Sequence, residues 1–514
     1  MPDAQCLGSS GQPISYAPIV VDSDDREPAA IIKDETTEAD KLSQSFDVVD
    51  FNTTYSPVPK KKRILERHKR KICLLPMIHT QFWVAAAYSL LAPLFPAVAV
   101  SRGLEAWEYG FVFSLGKITT LIGSAWAKNL IQQTSPKCVF LIGQVGYFLA
   151  NAVYGALYWI PGDYMMLGVA LFGGALGGLS ESLYCVASYA TATVLLADHL
   201  GFAVAGMQVL WGSGGATGAV LGGAIADVWG YPAAFFVTSS LFMLSCPFIA
   251  TSRIFRRNRK PAVGDPHVNG ENTGGETDMK HYWLLRDARF ISYLFNLFLN
   301  GLIFGFIEPT LEPYLNQFHN SSSGIGSVFS VYALTFCVAS AICGFICHCK
   351  AEIRFLPLVH VFNITGFIMI GPAPFLPFEP TMSLIYVSQA LLGAGVASMH
   401  ALSYSSAIKR AIAKGYKEDI DTSSFVCGAI FAAYVVGATL SPPISGYVVE
   451  ALGFRAGSMI IFGALVAWMP ALLLLPKEFK DCTLTSLARI GLARTHKIRY
   501  VAAKKYLSLV NRPN

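Results

Sequence analysis

The stretch "GLIFGFIEPTLEPYL", residues 301–315, carries two glutamates in otherwise apolar surroundings, Glu308 and Glu312, each followed by a proline. Four residues apart, they lie on one face of a helix. A charged side chain at the centre of a bilayer costs about 2.5–3.5 kcal/mol even on insertion scales, so such acids are read as functional. Their chemistry follows from desolvation: a carboxyl away from water favours its protonated form, and a neighbouring cation restores the ionised one. One carboxylate can therefore be satisfied by a proton or by an ammonium. A third acid, Glu181, stands in the apolar run "GGALGGLSESLYCVASY", and a cation, Lys117, in "FSLGKITTLIG". Glu308 is read as the deeper of the helix-7 pair, with Glu312 approaching an interface. Lys117 either neutralises Glu181 or Glu308 or faces the mouth of a cavity. Tyr88, Tyr184 and Trp211 offer aromatic faces to a cation. Gln81 and His400 could line the same space or satisfy interhelical contacts.

The elements that must position these residues are set by composition. Of 514 residues, 53% are hydrophobic and 14% charged, against about 25% charged in soluble domains. The apolar residues fall into twelve runs, at 74–100, 109–131, 137–159, 164–190, 202–226, 233–252, 289–315, 324–347, 354–376, 382–408, 422–449 and 454–476. At a rise of about 1.5 Å per residue each matches a hydrocarbon core of about 30 Å. The chain therefore reads as an all-α membrane protein with twelve transmembrane helices. Basic residues segregate to alternate loops: Lys60, Lys61, Lys62, Arg63, Lys137, Arg253, Arg256, Arg257, Arg354, Lys409, Arg410 and Lys414 lie on one side with the tail from Lys477, whereas Arg102 and Arg455 lie on the other. The positive-inside rule then places both termini in the cytosol. Asn320-Ser321-Ser322 is an N-glycosylation acceptor in a loop predicted to be outside. None of the 11 cysteines falls in such a loop, and no disulfide framework is expected. Cys343, Cys347 and Cys349 with His348 lack nearby acids and are not read as a metal site.

Along the chain, residues 1–71 form an acidic N-terminal tail without hydrophobic periodicity that ends in the basic run "KKKRILERHKRK", read as a contact with the lipid bilayer and not with nucleic acid. Two six-helix halves, 72–252 and 289–476, flank a polar linker at 253–288, and a basic tail covers 477–514. The halves echo each other. In "GGAIADVWGYPAAFF", Gly223, Asp227, Gly230 and Tyr231 match Gly446, Glu450, Gly453 and Phe454 of "SGYVVEALGFRAGSM" at a constant offset of 223 positions. Repeated halves of this kind describe a transporter that alternates around a midplane site. Gly214, Gly218 and Gly222, spaced by four, form a helix-packing seam. Pro93 in helix 1, Pro309 in helix 7 and Pro442 in helix 11 are candidate hinges. No phosphate-binding Gly-Lys-Ser/Thr loop occurs, so no nucleotide or other cofactor is expected and a proton gradient would supply the energy.

The twelve-helix, two-half layout with Gly- and Pro-rich helices 5 and 11 resembles the major facilitator superfamily. "FGFIEPTLEPYL" in helix 7 and "YSLLAPLFP" in helix 1 resemble the vesicular amine transporters, and within them the vesicular polyamine branch, over residues 72–476. The resemblance implies the major facilitator fold, with helices 1, 4, 7 and 10 lining a central cavity, and places an acidic residue of that branch at Glu181. It implies a monomeric, proton-coupled antiporter, not an enzyme, that moves an organic cation from the cytosol into an acidic secretory, synaptic-like or endolysosomal vesicle. The chain departs from the superfamily in "AWAKNLIQQTSPK" between helices 2 and 3, which keeps only Lys128 and Lys137, and in Ala219, where proline is usual. Two other readings stay open: an organic-anion or drug exporter that uses Lys117 as its binding charge, and a non-transporting sensor or scaffold. On the amine reading, loss of the Glu308 charge should abolish uptake and loss of the Glu312 charge should spare much of it.

Overall fold

A computed structural model of the chain describes residues 75–195, 200–251, 283–348, 352–374, 376–377, 379–416 and 420–474, all within one compact unit, Arg67–Asn514. The tails and most of the linker inferred from sequence lie outside the described residues. The described chain is helical from end to end. In order, the helices are α1 (Leu75–Ser101), α2 (Ala106–Gln133), α3 (Pro136–Ala156), α4 (Asp163–Leu195), α5 (Leu200–Trp229), α6 (Tyr231–Thr251), α7 (Ala288–Leu315), α8 (Ser322–His348), α9 (Glu352–Ile370), α10 (Met382–Ala413), α11 (Ile420–Leu452) and α12 (Phe454–Leu474). Eleven are long and apolar enough to cross a membrane, with mean hydropathies of 1.3 to 2.0. The exception is α2, 28 residues long, which carries Lys117 at its middle.

Prolines account for the irregularities. Pro93 has no N–H for the carbonyl of Ser89, and α1 breaks at Ser89–Leu90. Likewise α6 is interrupted at Leu244–Ser245, ahead of Pro247. The ninth run, expected to reach residue 376, ends as a helix at Ile370 because Gly371-Pro372 follows. Proline pairs leave α7 and α11 helical throughout, and one carbonyl orphaned by each pair finds a partner in the other half. Pro313 cannot bond the carbonyl of Pro309, which instead accepts the Tyr109 hydroxyl of α2 at 3.0 Å. Pro443 cannot bond the carbonyl of Thr439, which accepts Ser114 of α2 at 2.6 Å.

The two halves meet mainly through α2 against α11 and α5 against α8. At the end of the bundle marked by Gly230 and Gly453 they meet backbone to backbone. A Cβ on Gly223 would collide with the carbonyl oxygen of Ser322, and one on Gly446 would lie 2.5 Å from that of Ala106. Two acids complete this closed end. Asp227 accepts the N–H groups of Ser322 and Ser323, the first residues of α8, at 2.8 and 2.9 Å. Glu450 lies against the N–H of Ala106, the first residue of α2. Both satisfy orphan donors at a helix N-terminus.

At the opposite end Asp287 caps α7. Its side chain accepts the N–H groups of Arg289 and Phe290, both donors of a fork from Arg410 of α10 at 3.1 and 2.7 Å, and Lys414 at 2.8 Å. Burial alone would raise this carboxyl, but the hydrogen bonds from Arg410 and Lys414 outweigh it and hold Asp287 well below the usual carboxylate range. Asp287→Asn is expected to lower stability by about 2–3 kcal/mol, the scale of lost hydrogen bonds to charged groups. Because the folded value is depressed, this contribution is complete above the unfolded carboxylate value of about 3.9 and lost only as pH falls through the folded one. The gap between wild-type and variant thermal unfolding midpoints should therefore be constant from pH 8 to pH 5.

Candidate functional site

Glu308 lies on the face of α7 that carries Phe304 one turn earlier, 5% exposed. Tyr88, at the broken middle of α1, donates its hydroxyl to Glu308 Oε1 at 2.8 Å. Lys117 of α2 donates to the same tyrosine oxygen, and its Nζ is 3.7 Å from Glu308 Oε1. Tyr88 thus bridges ammonium and carboxylate, while Glu308 Oε2 has no hydrogen-bond partner. Around the pair stand aromatic walls. Lys117 Nζ is 4.6 Å from the ring centre of Tyr88 and 4.8 Å from that of Phe304, within cation–π range. Trp211 of α5 leans on Tyr88 at 5.6 Å between centroids, Tyr434 of α11 on Phe304 at 6.4 Å, and His400 of α10 meets Tyr434 edge-on at 6.0 Å. The site therefore draws on both halves of the bundle.

Lys117 is placed by close contact between α2 and α4. A Cβ on Gly178 would collide with the carbonyl oxygen of Gly116, so glycine there allows the two backbones to touch. One turn beyond Gly178 stands Glu181, which borders with Tyr88, Lys117, Tyr147, Asn151 and Tyr154 a cavity of about 50 Å³ among α1–α4 and Phe235 of α6. That is room for a few waters and too little for an organic cation. Glu181 lies within electrostatic reach of Lys117 and Glu308, but among the described residues the ion pair of Lys117 is with Glu308.

Other sequence candidates fall elsewhere. Gln81 accepts the Tyr184 hydroxyl in the interior of the first half, and both are buried, an interhelical contact and not a cavity lining. Glu312, read as approaching an interface, stands one turn from the end of α7 and is 0% exposed, with the side-chain amide of Asn316 as the only donor near its oxygens among the described residues. The reason is the closed end, where Tyr109 of α2 packs over this turn of α7. Gly214, Gly218 and Gly222 all face α1, where a Cβ would collide with the carbonyl oxygens of Phe82 and Ala86 and the side chain of Leu90 in turn. Pro442 lies against Gly110 and Gly305. The Asn320 amide nitrogen is 3.2 Å from the sulfur of Met382.

Sequence reasoning missed Phe304 and Tyr434. Phe304 carried a usable signal, since it is one helical turn from Glu308. Tyr434 carried none, because its place depends on how α11 packs against α7.

The family model described as the Major Facilitator Superfamily matches residues 78–417. The MFS-type transporter SLC18B1 of Homo sapiens is 21% identical over 378 residues, 73% of this chain and 79% of the relative. The Multidrug resistance protein MdtG of Yersinia enterocolitica is 24% identical over 261 residues, 49% of this chain and 59% of the relative. The crystal structure of the nucleoside transporter NupG superposes with a TM-score of 0.59 at 13% identity, covering 79% of this chain and 99% of that one. A point mutant of the same transporter gives 0.60 at 14% identity, covering 78% and 99%. These structures share the fold. The chain belongs to the Major Facilitator Superfamily, as a multi-pass membrane transporter and not an enzyme.

Proposed function

We propose that the chain is a proton-coupled antiporter that moves organic cations, polyamines or related amines, from the cytosol into acidic vesicles, acting as a monomer with both termini cytosolic. The observation that carries this reading is that the chain's own ammonium, Lys117, already rests on Glu308 between aromatic faces. A site that accommodates a tethered primary ammonium suits a free one. Similarity to the SLC18B1 transporters over most of both chains supports the same class.

Coupling follows from counting charge. With Lys117 on Glu308, Glu181 has no ion pair among the described residues, and in the cycle it is the carboxyl that carries the proton. A substrate ammonium that takes Glu308 displaces Lys117, which turns within its electrostatic reach to Glu181 and is neutralised there as that carboxyl gives up its proton to water. The site gains one cation and loses one proton, so the buried charge is unchanged. Reversal on the acidic side protonates Glu181, returns Lys117 to Glu308 and expels the amine.

The partial similarity to a multidrug resistance protein favours a second reading, a drug or organic-anion exporter. Against the anion form stands the engagement of Lys117 by Glu308, which leaves no net positive charge at the site. Reconstituted vesicles with an acidic interior should accumulate radiolabelled spermidine and stop when the gradient is collapsed. Uptake of an organic acid that is lost in Lys117→Ala would establish the anion reading instead, and amine binding without flux would establish a sensor.

A further inference from the structure

Glu312, one turn beyond Glu308 on α7, is also fully enclosed, 0% exposed. Among the described residues the only donor near its oxygens is the neutral side-chain amide of Asn316, one turn on and short of a well-formed hydrogen bond, and Glu312 enters no ion pair. The charged and titratable groups of the packed elements do not compensate it. From α2, the Tyr109 hydroxyl is given to the Pro309 carbonyl. From α11, Glu450 lies within electrostatic reach of the same tyrosine and adds negative charge together with Glu105 and Glu108. From α12, the Arg455 guanidinium donates to the Pro372 carbonyl. One turn away on α7, Glu308 is held by Tyr88 and Lys117. An anion at Glu312 would be dry and unpaired, a state buried carboxylates do not keep.

The position of Glu312 gives this a mechanical meaning. Tyr109, which covers it, belongs to the opposite half and sits beside the Gly446 contact that closes this end. Parting the halves there would admit water to Glu312. We propose that Glu312 is a proton-binding gate group: closing the Gly230/Gly453 end adds a proton from the solution on that side to its carboxylate, and opening the end returns that proton to the same side. The proton makes an O–H bond at a carboxylate oxygen on closure and passes to water on opening, so it is exchanged without being carried across. On the orientation proposed above, an acidic lumen thereby returns the emptied carrier to its cytosol-facing arrangement.

The sign of the pH dependence separates this from the two exposed acids at the same end. Asp227 and Glu450 hold helix N-termini as carboxylates, so acid weakens the closure they provide. Glu312 closes the end only when neutral, so acid strengthens it, by up to about tenfold in the closed-to-open ratio per pH unit for one proton. The test uses the full chain in lipid nanodiscs without amine, so its outcome is independent of the substrate reading. Spin-labelled non-natural residues at positions 229 and 317, exposed on either side of the Asp227–Ser322 contact, report the distance across the end from pH 5 to pH 8. The wild-type open population should rise with pH, the Asp227→Asn/Glu450→Gln variant should keep that direction, and Glu312→Gln should lose that rise, keeping at most the opposite, acid-opening response of Asp227 and Glu450. A wild-type end that opens toward acid overturns the proposal, as does a Glu312→Gln variant that responds like wild type. Should Glu312→Gln not fold, the direction in wild type and in the double variant still decides.

Discussion

Glu308→Gln is expected to abolish gradient-driven amine uptake. The substitution preserves shape and removes the charge that an ammonium would meet, and loss of one member of a buried, hydrogen-bonded charge pair costs about 2–5 kcal/mol. At 1.4 kcal/mol per tenfold that is roughly 30- to several-thousand-fold in amine affinity. A second consequence is that Lys117, deprived of the carboxylate charge 3.7 Å away, becomes an unpaired cation within the bundle unless it moves to Glu181. The two effects can be separated. In Glu308→Gln/Lys117→Met the unpaired ammonium is gone, so the thermal unfolding midpoint should recover toward wild type while spermidine uptake stays absent. Glu308→Asp keeps the charge but retracts it from Tyr88, and should retain measurable uptake with a raised KM. Uptake by Glu308→Gln at more than about a tenth of the wild-type rate would remove this carboxylate from the mechanism.

How far the site was legible in sequence depends on whether the signal was local. Glu308, Glu181 and Lys117 announced themselves because each is a charge inside an apolar run, which needs no partner to be noticed. Their pairing was not legible. Lys117 could have met either acid, and the choice rests on Tyr88, which bridges it to Glu308 from the turn of α1 just before the break. The burial of Glu312 was not legible for the same reason. Its place near the end of its run does not say whether water reaches it, which is decided by α2, about 200 positions away in the chain, where Tyr109 lies over this turn. The twelve helices were legible from hydropathy, and the end that fell short, Ile370 for 376, did so at the Gly371-Pro372 pair that a run of apolar residues conceals.

The repeat at an offset of 223 was visible as letters before its physics was, and the physics makes the strongest mechanical prediction. Each repeated residue does the same thing twice. Gly223 and Gly446 let one half's backbone touch the first turn of a helix in the other half, α8 in one case and α2 in the other. Asp227 and Glu450, one turn on, lie against the N–H groups of that same helix start. Gly230 and Gly453, at φ 84° and 81°, end the helix in a conformation that residues with side chains rarely adopt. Tyr231 and Phe454 open the next helix. The constant offset therefore encodes two equivalent latches between the halves. Gly446→Val is expected to break one of them, because its Cβ would meet the Ala106 carbonyl carbon and oxygen at 2.5 Å and the Trp107 nitrogen at 2.6 Å, all backbone atoms that cannot turn aside. Each half keeps its own packing, so the variant should fold and bind amine, yet steady-state uptake should fall at least about tenfold because one arrangement of the cycle costs about 1.4 kcal/mol more or worse. Gly218→Val makes the contrasting control: its clash with Ala86 is internal to the first half, so it should reduce folded yield instead. Equal loss of folded protein in both variants would mean that the Gly446 contact builds the fold and does not serve as a latch.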